Sequence, residues 1–326
     1  MTKILITRHD KIGDFVVSLP MFKVLKQQKK HIKVYALVSK INYEFAKSID
    51  FIDGVILYDK ENKNKTLADI KKENFDLSIS AFIDTSLGWI LLRSNIKTRI
   101  APATKIAQVF FNKKISQRRS KVEKKEFEYN LDLLKAYDET LDLNYSYPLI
   151  EFTKKEKEKV FANFKSLYSF DENKKLFAFH PGSGGSTDGN LRLDDYVKLA
   201  LKITSLALVQ VVFTFGPDDK DLKDELEIKI EKSEDIFIYE SKSSILDFCK
   251  LLGCFDLFVS TSTGPMHLAA INNIKTISFF GSNLFATPKR WASINEKDNQ
   301  FNFILDENYE SKDYLEIEKT LLTLSK

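Results

Sequence analysis

Short apolar runs alternate with amphipathic stretches along most of this chain. Lys3–Arg8 and the runs 31–38, 54–58 and 77–81 are rich in Ile, Leu and Val and bounded by polar or turn residues, which predicts buried β-strands. Between them, apolar spacing predicts a helix from the end of loop 9–14 to about Lys29, another near 43–48 and, after polar loop 60–65, a helical stretch over 67–73. Around 148–175 the pattern changes. Lys154-Lys155-Glu156-Lys157-Glu158-Lys159 is strongly charged, with Val160, Phe161 and Phe164 on the opposite side, and reads as a connection between two halves. A second alternation follows, with strands at 176–180, 208–215, 236–238, 257–260 and 276–280 and helices at 194–205, 218–230, 244–252 and 266–271. Strands alternating with helices predict parallel sheets covered on both faces, so the expected fold is α/β, with two doubly wound Rossmann-like domains in tandem. The expected boundaries are 1–150, a connection over 151–175, and 176–305; the last stretch, 306–326, holds a helix that is a candidate to pack back on the first domain. Ligands of such sheets sit beyond the carboxyl ends of the strands, which points to a cleft between the two domains.

Composition narrows this picture without changing it. A chain of 326 residues exceeds the usual single core and suits two domains. No uninterrupted apolar run approaches the length of a membrane span, and the N-terminus enters a strand at once, so residence in the cytosol is expected. Cys249 and Cys254 lie in an apolar context at a spacing that matches no metal pattern, and read as core residues; no metal is expected. Charge is uneven. Residues 1–150 carry 27 Lys and Arg against 18 Asp and Glu, a net of +9, whereas residues 151–326 carry 23 against 28, a net of −5. The first half should therefore meet the more anionic partner. Its densest basic stretch, Lys113 to Lys125, lacks interleaved aromatics and any accompanying nucleic-acid motif, which disfavours nucleic acid. A phosphorylated glycolipid, an anionic membrane surface or plain solvent remain open as its neighbour.

Three loops, each following a predicted strand, are candidates for chemistry. The first is His9-Asp10-Lys11-Ile12-Gly13-Asp14: Gly13 permits a tight backbone path, and Asp14 stands at a helix start, where it is either an ordinary cap or a general base. Arg8, His9, Asp10 and Lys11 beside it are candidates for an acceptor phosphate or simply loop charges. The second loop is His180-Pro181-Gly182-Ser183-Gly184-Gly185-Ser186-Thr187, whose glycines let backbone N–H groups approach phosphate oxygens while hydroxyls add donors. It is neither a P-loop nor a dinucleotide fingerprint. The third is Ser260-Thr261-Ser262-Thr263-Gly264, a hydroxyl-rich turn after the strand Leu257-Phe258-Val259 and ahead of a helix starting near Met266. Unpaired N–H groups and the positive dipole end of that helix suit a phosphate or diphosphate. Gly216-Pro217-Asp218-Asp219 is a candidate border of a base or ribose pocket, or a simple capped turn.

Taken together, these loops resemble glycosyltransferase family 9, the heptosyltransferases of bacterial lipopolysaccharide core. Ile12-Gly13-Asp14 with Ser18-Leu19-Pro20 matches that family's first motif, His180–Gly185 its HPGSGG, and Ser262–Ala270 its later STGPMHLAA-type segment. The resemblance implies a GT-B fold with an N-terminal acceptor domain and a C-terminal donor domain. It implies inverting, metal-independent transfer of heptose from ADP-heptose to a sugar hydroxyl of a lipopolysaccharide or lipooligosaccharide core, with no cofactor beyond the nucleotide sugar. Asp14 then takes the place of the general base, with Arg8, Lys11 and Gly13 on the acceptor side. Donor-side positions are His180, Gly182, Ser183, Gly184, Gly185, Ser186, Arg192, Gly216, Ser262, Thr263, Gly264, Pro265, Met266 and His267. Peripheral contact with the inner face of the membrane, through the basic first domain, is the matching expectation. Two departures stand out: the Lys that many members place before Trp-Pro is missing, with only the shifted Arg192 nearby, and Ser262 stands where many members have Asp. They keep open a different donor sugar, or a protein that binds nucleotide sugar without turnover. A nicotinamide-dependent oxidoreductase is disfavoured, since the first strand leads into HDKIGD rather than a glycine fingerprint.

Overall fold

A computed structural model describes residues 1–184, 189–230 and 233–326, which divide into two compact units, Met1–Leu149 and Ile150–Lys326. The first unit runs β1 (Lys3–Arg8), α1 (Ile12–Val16), α2 (Leu19–Gln28), β2 (Lys33–Val38), α3 (Lys40–Lys47), β3 (Gly54–Leu57), α4 (Lys63–Glu73), β4 (Leu77–Ser80), α5 (Thr85–Arg93), β5 (Thr98–Pro102), β6 (Lys113–Ile115) and α6 (Glu126–Tyr137). Its six strands are all parallel, in the order β3-β2-β1-β4-β5-β6. Ile4, Leu5 and Ile6 of β1 are fully buried, as expected for a central strand covered by helices on both faces. The chain moves outward from β1 to β3, then crosses back to place β4 on the other side of β1. Strand order therefore reverses between β1 and β4, and in sheets of this kind the carboxyl ends of the strands at such a reversal are where ligands bind.

The second unit repeats this plan as α7 (Lys154–Lys165), β7 (Lys175–His180), α8 (Leu193–Leu206), β8 (Val209–Phe215), α9 (Lys220–Lys229), β9 (Ile236–Glu240), α10 (Ile245–Leu252), β10 (Leu257–Thr261), α11 (Gly264–Ile271), β11 (Lys275–Phe280), α12 (Pro288–Trp291), β12 (Gln300–Ile304) and α13 (Ser311–Ser325). Its parallel sheet has the order β12-β11-β10-β7-β8-β9, so its reversal falls between β7 and β10. The three loops singled out from the sequence follow β1, β7 and β10. Each lies at the carboxyl end of a strand that borders a reversal of its own sheet.

Several boundaries differ from the sequence reading, each for a local reason. The first long helix is two, α1 and α2, because the Pro20 ring would strike the carbonyl four residues back; the chain turns at Val17–Ser18 and Pro20 sits in the first turn of α2. Helix α4 starts inside the polar loop, where the Asn62 side chain accepts the Lys65 N–H and caps it. The basic stretch contains an edge strand, β6, and a short 3-10 turn, Arg119–Lys121. The segment read as a connection is part of the second unit: Phe164 on α7 is buried among Phe161, Phe170, Tyr239 and Phe255, and Tyr168 donates to the Ile238 carbonyl at 2.5 Å. Helix α13, a candidate to return to the first domain, instead buries Ile317 and Leu321 in the core of the second unit, against α8. Both thiols are free; burial pushes Cys249 up to about 12 and Cys254 up to about 11, in keeping with packing residues.

Candidate active site

The end of β1 carries a buried charge cluster. Arg8, the last residue of the strand, has a guanidinium almost wholly out of solvent. Nε meets Asp10 at 2.9 Å, Nη1 meets Glu126 on α6 at 3.4 Å, and Nη2 bonds Asp14 on α1. Arg119 holds the same Glu126 oxygen at 2.8 Å. Burial works against the charge on Arg8, but Asp10, Asp14 and Glu126 outweigh it and raise its pKa. Asp14 is raised as well, chiefly by burial and further by Asp10 and Glu126, against the pull of Arg8. A carboxyl held above its usual range and still partly open to solvent has the properties of a general base.

Backbone ties fix this loop in place. Ser39 Oγ and Asn42 Nδ2 both donate to the Asp10 carbonyl, at 2.9 and 3.2 Å. His9 is buried between Tyr58 and Phe82, and its Nε2 lies 2.8 Å from Asp84 Oδ2. Asp84 also accepts the Leu87 N–H at the start of α5. Burial alone would raise its carboxyl, but these partners bring it down to about 2. The helix-cap alternative for Asp14 is not realised, since Lys11 occupies the N-cap of α1 and the Asp14 side chain turns to Arg8. Arg8 is corrected from acceptor ligand to internal partner of three carboxylates, because every nitrogen of its fork is already engaged. Lys11 is exposed and Gly13 partly so.

In the second unit, β7 ends at His180, whose Nδ1 lies 3.1 Å from Thr214 Oγ1 on β8; burial lowers its pKa and keeps the ring neutral. Gly182 passes directly over Asp219: a Cβ there would meet the carboxylate at 2.6 Å, while Asp219 Oδ2 accepts the Gly216 N–H at 2.8 Å. Gly216–Asp219 is thus a capped turn whose carboxylate supports the glycine loop. Ser183 is partly exposed. Gly184 has φ +55° with open space around it, so it is the backbone conformation that requires glycine. Gly185 and Ser186 lie outside the described residues. Where the loop returns, Gly189 abuts the backbone of Phe280 and Gly281, and Thr261 Oγ1 donates to the Gly189 carbonyl at 2.5 Å, binding the glycine loop to the ends of β10 and β11.

Helix α11 opens with Thr263 at its N-cap, then Gly264 and Pro265; the N–H groups of Gly264 and Met266 have no acceptor within the helix, and Pro265 contributes none. Ser262 is partly exposed and its N–H bonds the Phe279 carbonyl. Two donor-side expectations change. The Met266 side chain is fully buried, which leaves only its backbone for a ligand. His267 is buried against Trp291, and burial drives its pKa down to about 4, so near neutral pH it is no cation for a phosphate. Its Nδ1 is buried without a hydrogen-bond partner among the described residues. Arg192, at the N-cap of α8, is drawn onto Asp195 at 2.9 Å and stacks on Tyr309 at 4.5 Å. Among the described residues no group of three or more His, Cys, Asp or Glu is placed to hold a metal ion.

Gly182 supplies a test of the loop. Gly182→Ala must push Asp219 off the Gly216 N–H, at a cost of about 1–3 kcal/mol for overpacking. Asp219→Ala opens the space, so the double variant is expected to lose less than the two single variants added together. Urea denaturation of the four proteins measures this coupling.

Two α/β units, each built on a six-stranded parallel sheet whose strand order reverses once, make the fold GT-B, and the chain is a glycosyltransferase. The chain belongs to glycosyltransferase family 9 (heptosyltransferase), whose model matches residues 65–321. It is 35% identical to a putative glycosyltransferase of Haemophilus influenzae, over 97% of this chain and 93% of that protein. It is 22% identical to lipooligosaccharide heptosyltransferase 2 of Campylobacter jejuni, over 88% of this chain and 84% of that one. Among solved structures it is similar to E. coli ADP-heptose LPS heptosyltransferase II, with a TM-score of 0.81 at 15% identity, covering 99% of this chain and 98% of that chain. E. coli heptosyltransferase WaaC with ADP gives a TM-score of 0.74 at 16% identity, covering 99% and 100%.

Proposed function

We propose that this protein is an inverting transferase that moves heptose from ADP-heptose to a sugar hydroxyl of a phosphorylated, lipid-linked core saccharide at the inner face of the membrane, without a metal. The observation that carries this reading is the placement of the family's three motifs at the strand-order reversals of the two sheets, with Asp14 raised in pKa beside β1. In the proposed step the acceptor oxygen forms a bond to the anomeric carbon as the bond from that carbon to the diphosphate oxygen breaks. Asp14 takes the acceptor proton. Arg8 orients Asp14, and Glu126 orients Arg8. The leaving diphosphate is met by N–H groups of the glycine loop, by Gly264 and Met266 N–H at the start of α11, and by the Thr263 hydroxyl. His267 and His180 enter this scheme as neutral rings. Relatives and neighbours named as heptosyltransferases, one of them holding ADP, support the donor assignment.

Ser262, the missing Lys and the pairing of Arg192 with Asp195 favour a second reading in which the donor carries another sugar. Thermal unfolding with ADP, UDP, GDP, CDP and NAD side by side separates the two. At about 100 times its dissociation constant a ligand adds about 2.7 kcal/mol to the folded state, a shift of several degrees. Selective stabilisation by ADP is the expected result. Preference for another nucleoside diphosphate changes the donor, and a response to NAD alone overturns the transferase reading.

A further inference from the structure

The first unit has a face that the transfer chemistry leaves unused. Residues 85–122 contain nine Lys and Arg and no Asp or Glu. Within this stretch, α5 packs on the 3-10 helix Ile106–Phe110 through Gly88, where a Cβ would meet the Phe110 ring at 2.6 Å. That close approach leaves four large apolar side chains in solvent: Ile106 is 86% exposed, Val109 69%, Leu92 46% and Trp89 39%. Trp89 and Leu92 share one side of α5 at a spacing of three, and Ile106 and Val109 eclipse one another at the same spacing on the 3-10 helix. Two cations are tied to backbone carbonyls: the partly buried Arg99 donates to those of Phe110 and Ile96, and the exposed Lys105 reaches that of Ile83. By contrast, Arg93, Lys97, Lys113, Lys114, Arg118 and Lys121 are exposed, and among the described residues none of them has a carboxylate within ion-pair distance. Arg93 lies over the Trp89 ring at 4.7 Å.

We infer that this face docks on an anionic lipid bilayer, with Ile106, Val109, Leu92 and Trp89 entering the interface and the surrounding Lys and Arg meeting lipid phosphates. Exposed apolar side chains on a stretch of chain rich in exposed cations without carboxylate partners, with Arg93 over the Trp89 ring, match the layered chemistry of a membrane surface: hydrocarbon below, phosphate above, and an interfacial layer that favours indole. A second copy of the chain is a poor occupant, since it would set one strongly basic stretch against another. The role of this surface in the reaction rests on the lipid-linked acceptor proposed above, but the docking itself needs neither donor nor acceptor.

Vesicle co-sedimentation of the full chain tests it. Binding is expected to phosphatidylcholine vesicles containing phosphatidylglycerol and not to phosphatidylcholine alone, and to weaken as salt screens the charges. Ile106→Asp with Val109→Asp, and separately Lys113→Glu with Lys114→Glu, are each expected to lower partitioning roughly tenfold or more. In a Trp291→Phe background the Trp89 emission should shift to the blue on binding. ADP-induced stabilisation of the same variants shows whether they are folded. No binding to the anionic vesicles, or equal binding by folded variants, overturns the proposal. A dimer that Ile106→Asp dissociates would give the face to a second copy and overturn it too. Loss of vesicle binding with ADP stabilisation intact leaves the transferase reading standing; vesicle binding without a nucleotide response does the reverse.

Discussion

Asp14→Asn is expected to cut sugar transfer roughly 10²–10⁴-fold while leaving ADP-induced stabilisation unchanged, because the variant keeps shape and a hydrogen-bond acceptor for Arg8 but cannot take a proton. Release of ADP from the donor in the presence of acceptor measures the first quantity, and a thermal shift the second. The pH profile carries an independent signature. Burial, with Asp10 and Glu126, raises the Asp14 carboxyl, so as pH falls through that raised value the base is protonated and kcat/KM declines, on a limb above the ordinary carboxylate range. Stability moves in the opposite sense. A carboxyl raised in the folded state contributes stability that is complete below its unfolded pKa and is lost as pH rises through the folded value. Removing the ionisable group therefore removes a cost at neutral pH, and the variant should melt no lower than the native protein. A variant that keeps native turnover, or that loses nucleotide binding along with it, would sink the base assignment.

Much of this site is written locally. Alternation of apolar runs and amphipathic stretches marks β1, β7, β8 and β10, and the loops after β1, β7 and β10 carry residue types suited to a base and to phosphate. Less legible is whatever depends on distant partners. Glu126 lies 118 residues from Arg8, and nothing near either residue announces that they meet, so Arg8 reads as a loop cation when it is the hub of a buried cluster. Asp84 has a local signal, an Asp ahead of an apolar helical run, and yet its pairing with His9 across the ends of two strands has none. Helix α11 fails for a different reason. Met266, Leu268, Ala269, Ala270 and Ile271 are apolar on every side, so periodicity cannot say which face is covered, and His267 within the motif looks available when it is buried. Segment 82–125 lacks clean alternation because its edge strand β6 is short and basic, which suits an unpaired sheet edge.

Arg8→Met is expected to destabilise the first unit by about 3–5 kcal/mol near neutral pH, since it removes the cation and leaves Asp10, Asp14 and Glu126 facing one another with little solvent. Arg119 still reaches Glu126 at 2.8 Å, so the two aspartates bear most of the loss. The deficit has a sign in pH that a simple packing defect lacks. Without Arg8 the Asp14 carboxyl loses the cation that pulls it down and rises further above its unfolded value, and the folded state resists its ionisation. Stability that is complete below the unfolded carboxylate range is then lost as pH rises through the raised folded value of Asp14. Urea denaturation should thus show a larger gap between variant and native protein at pH 8 than at pH 5. Adding Asp10→Asn to Arg8→Met withdraws one of the stranded charges and should recover part of the gap at pH 8, with little change at pH 5. A deficit that is equal at both pH values, and untouched by the second substitution, would mean that Arg8 acts through its packed volume alone and does not hold the carboxylate cluster together.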